Sequence, residues 1–570
     1  MAAAPRTFVP QDLDLSDPAK LEPIYRELID RLLKSVGDLK KWFADLSELW
    51  AAVSEFGARR YIELSCHTDD PKVEEAYMHQ VEVVDPALAP LFFEIQKKYV
   101  ECPFRSELPQ EEFGVLDKAW TADVELFRPE NIPLQTKASK LAAEYDKLNG
   151  AMTVEFQGAE RTLPQMGRFQ EDLHRETRQQ AWEAVVKRRL ENRERLDAIY
   201  DELIQVRTQI AKNAGFSDFR EYVWKSLKRF DYTPQDCHDF AKAVAETVTP
   251  VVAALCEDRR EKLGVSPLRP WDLEVDAFGK EPLNPFPHDD AEVLRRKVGE
   301  IVHRISPELG ADYDHLKPTR NLDLASRKGK GPGAYQSSLQ KSREPFIFMN
   351  AAGLHSDVIT LLHEAGHAFH FIEAADEPIA FIREAPIEFC EVASMSMELL
   401  ALPHLEVFYN QEDAARATRS LLERIVRLLP WIATIDQFQH WVYTHPNHSH
   451  EDRTAEWLRL RKWLGPPVDW SGYEDAQAAE WQRQLHLFSY PFYYIEYAIA
   501  QLGALQVWLA SKTDCEKATA DYRKALALGG KAPLPDLFAA AGAKFDFSRA
   551  TLGPLMKAVS DELAASDAAV

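Results

Sequence analysis

His363, Glu364 and His367 are the residues of this 570-residue chain whose types and spacing carry chemistry most directly; they stand in the run Leu361-Leu362-His363-Glu364-Ala365-Gly366-His367. On a helix, two histidines four residues apart set their imidazoles one turn apart on one face. Ring nitrogens so placed can share one tetrahedral zinc, and the glutamate beside them can take the proton of a metal-activated water. Such a centre needs a third protein ligand and one open position. His370 shares the face but lies roughly 10 Å further along the axis, too far on an unbroken helix. No glycine follows His367 at a spacing that turns the chain back.

The other source of a ligand is the acidic stretch from Glu384 to Glu398. It reads as a second helix on which Glu384, Glu388, Glu391 and Glu398 nearly align. Spacing does not choose among the four. A second feature lies further on, in His486-Leu-Phe-Ser-Tyr490-Pro-Phe-Tyr493-Tyr494-Ile-Glu-Tyr497. On a helix, Tyr490, Tyr494 and Tyr497 would stand at i, i+4 and i+7, and phenol hydroxyls are the donors that a developing oxyanion needs. The same tyrosines are also ordinary material for an aromatic core.

Taken together, HEAGHAFH followed by FCEVAS, with GAYQSS and PFIFMNAAG upstream and HLFSYPFYYIEYAIAQLGA downstream, resembles the M3 family of zinc oligopeptidases, the thimet oligopeptidase and oligoendopeptidase F group. The resemblance runs in order through most of the chain after about residue 150. It implies that Glu391, a little under thirty residues after His363 and in the segment Glu391-Val-Ala-Ser394, completes a one-zinc centre with His363 and His367. It implies that Glu364 is the general base, and that His486 with Tyr490, Tyr494 and Tyr497 supports the oxyanion, Tyr497 first among them. Glu388 and Glu398 become candidates to orient the imidazoles. The implied fold is mainly α, with two helical domains enclosing a deep substrate channel and a small β-sheet beside the zinc. The implied activity is hydrolysis of internal bonds in short oligopeptides. Two rivals are an exopeptidase on the same zinc chemistry and a peptide-binding scaffold without activity; product analysis and metal content separate them.

These residues need elements to position them. Ser356 is a candidate cap for the histidine helix, and Val358, Ile359, Leu361 and Leu362 supply its apolar face. Upstream, Tyr335 to Ser338 and Pro345 to Asn350 read as two short strands, and an extended peptide is expected to add to an edge strand near Phe346 to Met349. The glycine run from Lys328 to Gly333 is no phosphate loop, because no G-K-[ST] opens a helix after it. Leu21 to Val36, Leu39 to Phe56, Val73 to Tyr99 and Leu134 to Leu148 carry apolar residues at three- and four-residue steps and read as long helices. Met152 to Gln157 and Arg161 to Leu163 flank Gly158 as a small hairpin. Leu196, Ile199, Leu203, Val206 and Ile210 form a further helical stripe, and Pro267 to Pro287 reads as a long surface loop. The expected division is 1–185 as an N-terminal helical domain and 186–570 as the catalytic domain.

Composition bounds the rest. With 45% hydrophobic and 28% charged residues the chain suits a soluble globular protein, and a net charge of −23 disfavours nucleic acid and anionic membranes as partners. Six scattered cysteines read as reduced thiols in a cytoplasmic protein, with Cys66-His67 and Cys237-His238 set aside as incidental neighbours. His445-Pro-Asn-His448-Ser-His450 reads as a solvent turn. Met1 to Lys20 has no apolar signal segment, and no run of about 18 apolar residues occurs.

Overall fold

A computed structural model describes residues 8–287, 290–318 and 320–570. Residues 1–7 of the expected signal-free start therefore lie outside the described residues. The chain is mostly helical, with a two-stranded and a three-stranded sheet. Among the described residues no helix is long and apolar enough to cross a membrane.

The chain resolves into two compact units, each assembled from three separated segments. The first comprises Met1–Glu125, Asn284–Ala414 and Ala500–Phe545; the second comprises Leu126–Leu283, Ala415–Ile499 and Asp546–Val570. The sequence suggested one changeover near residue 185, and none of the changeovers between these units falls there.

In the first unit the apolar stripes of the N-terminal helices meet in one core. Leu21, Tyr25, Leu28, Trp42, Phe43, Leu46, Ile95, Tyr99 and Trp120 are all buried in it together with Ile379 and Ile382, which follow the histidine helix in the chain. The helix Val36–Cys66 begins at Ser35, whose hydroxyl accepts the Asp38 N–H, as an N-cap should. Its far end packs through Cys66, Ile62 and Ala58 on Phe346 and Phe348 of the three-stranded sheet.

That sheet has β3 (Leu322–Ala325), β4 (Tyr335–Leu339) and β5 (Glu344–Ala351) in the order β3-β5-β4, with β3 parallel and β4 antiparallel to β5. The two strands expected at Tyr335 and Pro345 are present. Phe346 to Met349, however, lies on the central strand, so the expected edge is corrected to β4. The apolar run Phe346-Ile-Phe-Met349 is buried on both faces, which is why it reads as a continuous hydrophobic stretch. Pro345 has no N–H and pairs with Ser338, so that pair is not hydrogen-bonded, and Gln336 opposite Ile347 falls in the same class. The backbone groups of Gln336 and Ser338 therefore point away from β5.

In the second unit, β1 (Thr153–Phe156) and β2 (Ala159–Thr162) form the expected hairpin around Gln157 and Gly158, both at positive φ. The stripe Leu196, Ile199, Leu203, Val206 and Ile210 is buried. The expected surface loop Pro267–Pro287 is corrected in part: Trp271 and Asp272 are buried, and Asp272 receives both Arg175 and Arg178. The charged side chain goes inside because it is paired there.

Candidate metal centre

The histidine helix runs His355–Glu373 and packs along β5 and β4. Ser356 is not its cap. Asp357 accepts the N–H groups of Ala352 and Leu354 and so ties the entering loop to the first turn. A second helix, Ile387–Leu400, lies against it and carries the glutamates. Glu384 falls before this helix, where Pro386 interrupts, and takes a hydrogen bond from Gln340 instead.

The two helices approach unusually closely at Gly366. A Cβ built there would stand 2.6 Å from both the Ala393 carbonyl oxygen and the Ser394 Cα. Tyr522 donates to the same Ala393 carbonyl at 2.8 Å, and elsewhere on the glutamate helix Gly503 leaves room for Val392 and Phe538. The glutamate helix is thus set in place from two sides. Gly366→Ala is expected to destabilise the protein by about 1–3 kcal/mol through overpacking and to weaken metal binding, because Glu391 rides on the displaced helix. In an ordinary helix interior the same change would stabilise by roughly 1 kcal/mol, so the sign of the melting-temperature shift, read beside metal content, decides.

The close approach brings His363, His367 and Glu391 together, with one ligand atom from each within 4.8 Å of the others. Glu391 Oε2 lies 3.4 Å from His363 Nε2 and 3.8 Å from His367 Nε2. The imidazole side chains remain 24% and 19% exposed, so the cluster is open on one side, as a catalytic site must be. Glu398, seven residues beyond Glu391, reaches the other nitrogen of His363, with Oε1 2.8 Å from Nδ1. It therefore orients the ring and leaves Nε2 aimed at the cluster. Ser394 Oγ donates to Glu391 Oε2 at 3.0 Å and fixes that carboxylate. Glu388 is buried on the same helix but does not belong to this group.

The electrostatics suit a cation. Burial alone would raise the Glu391 pKa, yet hydrogen bonding from His363 and the two imidazoles hold it down at about 2, so it is a carboxylate. Burial drives His367 down to about 4, which keeps it a neutral donor of a lone pair. Burial lifts Glu364 to about 7, the range of a general base. The backbone N–H of Gln336 on β4 faces this carboxylate and offsets part of the effect of burial, while Oε2 is buried without a hydrogen-bond partner. Burial would lower His363, yet its hydrogen bonds with Glu391 and Glu398 hold it up at about 10, so a bound metal would displace its proton. Two imidazoles, one carboxylate and an open face are the donor set of a catalytic divalent metal, and the residues fit one. His370 stays outside the cluster, packed on Phe389 and driven down to about 3 by burial.

The tyrosines belong to the second unit. The expected alignment of Tyr490, Tyr494 and Tyr497 on one helix does not form. A short helix, Leu485–Ser489, ends before Tyr490, and the next begins at Ile495, so only Tyr497 is helical. Pro491 follows Tyr490, and Phe492 takes a left-handed φ of 64°, a costly conformation for a side chain of that size. Gln439 accepts the Phe492 N–H and Arg229 donates to its carbonyl, which holds the turn. The turn gathers the rings around His486: their centres lie 4.6 Å away for Tyr494, 6.0 Å for Tyr497 and 6.3 Å for Tyr490.

Two residues the sequence reading did not single out decide the state of His486. Trp431 Nε1 can only donate, and it donates to Gln484 Oε1 at 2.9 Å. Gln484 must then present its NH2 to His486 Nδ1, 2.7 Å away, so Nδ1 accepts and Nε2 carries the proton. Burial pushes His486 down to about 4, so it is a neutral donor. A glutamine two residues before a histidine carries no such signal in sequence. The His445–His450 turn is largely exposed, with His450 on Asp201 and His448 accepting from Arg453.

Residues 168–298 and 308–555 match the model of the family described as Peptidase family M3, and residues 12–127 match the Peptidase M3 N-terminal domain. The chain is 27% identical over 245 residues to an oligoendopeptidase F homolog of Borreliella burgdorferi, covering 40% of each chain. It is 23% identical over 407 residues to the chromosomal oligoendopeptidase F of Lactococcus lactis subsp. cremoris, covering 67% of this chain and 62% of that one. The matches to curated relatives thus span less than two thirds of those proteins. Among solved structures, PZ peptidase A with an inhibitor superposes with a TM-score of 0.88 at 29% identity, covering 98% of this chain and 99% of that chain. The oligoendopeptidase F of Enterococcus faecium shares the fold with a TM-score of 0.65 at 15% identity, over 97% of each chain.

Proposed function

The chain belongs to peptidase family M3, and from that premise we propose that it is a zinc endopeptidase hydrolysing internal bonds of short oligopeptides. The observation that carries this reading is the convergence of His363, His367 and Glu391 beside the buried, unpartnered Glu364 Oε2. An imidazole pair with one carboxylate suits zinc among common divalent ions. One zinc per chain, when bound, supplies Lewis-acid charge that acidifies water and polarises a carbonyl.

The chain's own residues do the rest. Glu364 takes the proton of the attacking water at Oε2 and delivers it to the leaving amine nitrogen as the C–N bond breaks. The nearby Gln336 backbone N–H favours the ionised form that this task needs. His363 is held by Glu398 and Glu391 by Ser394, so neither ligand must reorganise. An extended substrate is assigned to the outer edge of β4, where Ser338 offers backbone groups pointing away from β5. Tyr497 is assigned as the first donor to the developing oxyanion, with His486, Tyr490 and Tyr494 supporting it. Tyr497→Phe deletes one hydroxyl and should lower kcat by roughly 10² to 10³ with little change in KM. An unchanged kcat would make Tyr497 a packing residue. Free cysteines throughout and the acidic charge support a cytoplasmic location and argue against nucleic-acid or membrane partners.

The test of the whole reading uses one peptide with both ends blocked, alone and inserted in an exposed loop of a stable protein. Folded domains are held by roughly 5–15 kcal/mol, which the enzyme has no means to overcome. Internal cleavage of the free peptide and none of the folded host is expected, read by mass spectrometry of products. No cleavage of the doubly blocked peptide, or equal kcat/KM on the folded host, would overturn it.

A further inference from the structure

A second cluster of ligand-type side chains lies wholly within the second unit. Cys237, Asp436 and His440 each bring one ligand atom within 4.8 Å of the others. Cys237 sits in the helix Pro234–Thr247, while Asp436 and His440 are one turn apart on the helix Gln411–Thr444 and so share a face. All three are buried, with Cys237 at 1%, Asp436 at 0% and His440 at 2% exposure.

Burial of this kind normally comes with hydrogen bonds. Here both ring nitrogens of His440 and Oδ1 of Asp436 are buried without a hydrogen-bond partner. His440 Nε2 lies 3.2 Å from Asp436 Oδ2, close but not in hydrogen-bonding alignment. Around them the structure is ordered as a support shell. Gln437 donates to the Cys237 carbonyl at 3.3 Å and to Asp436 Oδ2 at 3.2 Å, and its Oε1 accepts from His238 Nδ1 at 2.6 Å. The His238 tautomer so fixed leaves Nε2 with its lone pair, on a half-buried ring 4.7 Å from that of His440.

We propose that Cys237, Asp436 and His440 form a second, structural metal site for a borderline-soft divalent cation of the zinc class, clamping the helix Pro234–Thr247 to the helix Gln411–Thr444. Thiolate and imidazole together select such an ion over magnesium or calcium. A thiolate, a carboxylate and a neutral imidazole sum to two negative charges, which one divalent ion neutralises in a dry interior. Loading displaces the thiol proton to solvent and changes no oxidation state. A closed, buried position marks the site as structural. The His238 ring, 4.7 Å from that of His440, packs beside the three ligands.

Cobalt(II) distinguishes this site from the His363–His367–Glu391 centre, which contains no sulfur. The full chain, stripped by chelation and titrated with Co2+, should take up two equivalents, one of which brings a near-ultraviolet thiolate-to-cobalt charge-transfer band. His363→Ala should lose the other equivalent and keep the band. Cys237→Ser should lose the band and one equivalent. Cys390, adjacent to Glu391, is the competing source of sulfur, so Cys390→Ala should retain the band. A single equivalent in the wild type without the band overturns the proposal, as does a band that survives Cys237→Ser or vanishes in Cys390→Ala. Should Cys237→Ser fail to fold, the wild-type stoichiometry and the Cys390→Ala spectrum still decide.

Discussion

Glu391→Ala should leave a folded protein that no longer retains its metal and has lost measurable peptidase activity. Among the described residues Glu391 is the carboxylate grouped with both imidazoles, at 3.4 and 3.8 Å, and its removal reduces the proposed three-ligand site to two. Two neutral imidazoles do not offset the hydration a divalent cation gives up, so affinity should fall by more than the roughly 10- to 100-fold typical of a supporting residue. Glu398→Ala supplies that comparison: it frees His363 Nδ1, keeps all three ligands, and should weaken binding only within that smaller range. Metal content after dialysis, beside activity at saturating zinc, separates the two. Full occupancy in Glu391→Ala with loss in Glu388→Ala would sink the assignment, since Glu388 lies one turn earlier on the same helix.

Glu364→Gln is the complementary case, in which the metal stays and the chemistry goes. The amide keeps the shape but has no affinity for the water's proton, so kcat should fall by at least about 10²-fold. The stability change has a definite sign. Burial raises the folded-state pKa of Glu364 from an ordinary 4.5 to about 7. The protonated form is therefore favoured by folding, and that contribution is lost as pH rises from the ordinary value through about 7. Above that range the wild type carries a buried charge that the glutamine variant does not. In metal-free protein at pH 8, Glu364→Gln should melt no lower than wild type, and at pH 4 the two should differ little. Near wild-type turnover would remove Glu364 from the mechanism. A variant that melts well below wild type at pH 8 would show that the carboxylate is held by contacts beyond burial.

Much of the centre was legible before any coordinates. The spacing of His363 and His367 fixes a shared face on a helix, and Glu364 follows from that phase alone. Periodicity gave the N-terminal helices, the hairpin at Gly158 and the buried stripe from Leu196 to Ile210, because amphipathic repeats are local properties. Gly366 carried a weak signal, a glycine inside an apolar helix. Its meaning, contact with the backbone of Ala393 and Ser394, needed the second helix in place.

The choice among the four glutamates was not local. Sequence phase put Glu384, Glu388, Glu391 and Glu398 on similar faces, and only resemblance singled out Glu391. The packing of the two helices resolves them by height: Glu391 stands level with the Nε2 atoms, while Glu398, roughly 10 Å along the axis, meets Nδ1. The tyrosines failed as a helical row because Pro491 and the left-handed Phe492 break the helix, and Gln439 and Arg229 hold a turn that no period announces. Cys237 looked incidental for the same reason, its partners Asp436 and His440 being about two hundred residues away in sequence. The sequence by itself determined which residue types stand at helical spacing, since that depends only on the local 3.6-residue period. Which of them meet was decided by tertiary packing, because a ligand set or a hydrogen-bond chain depends on distances between helices that no local pattern encodes.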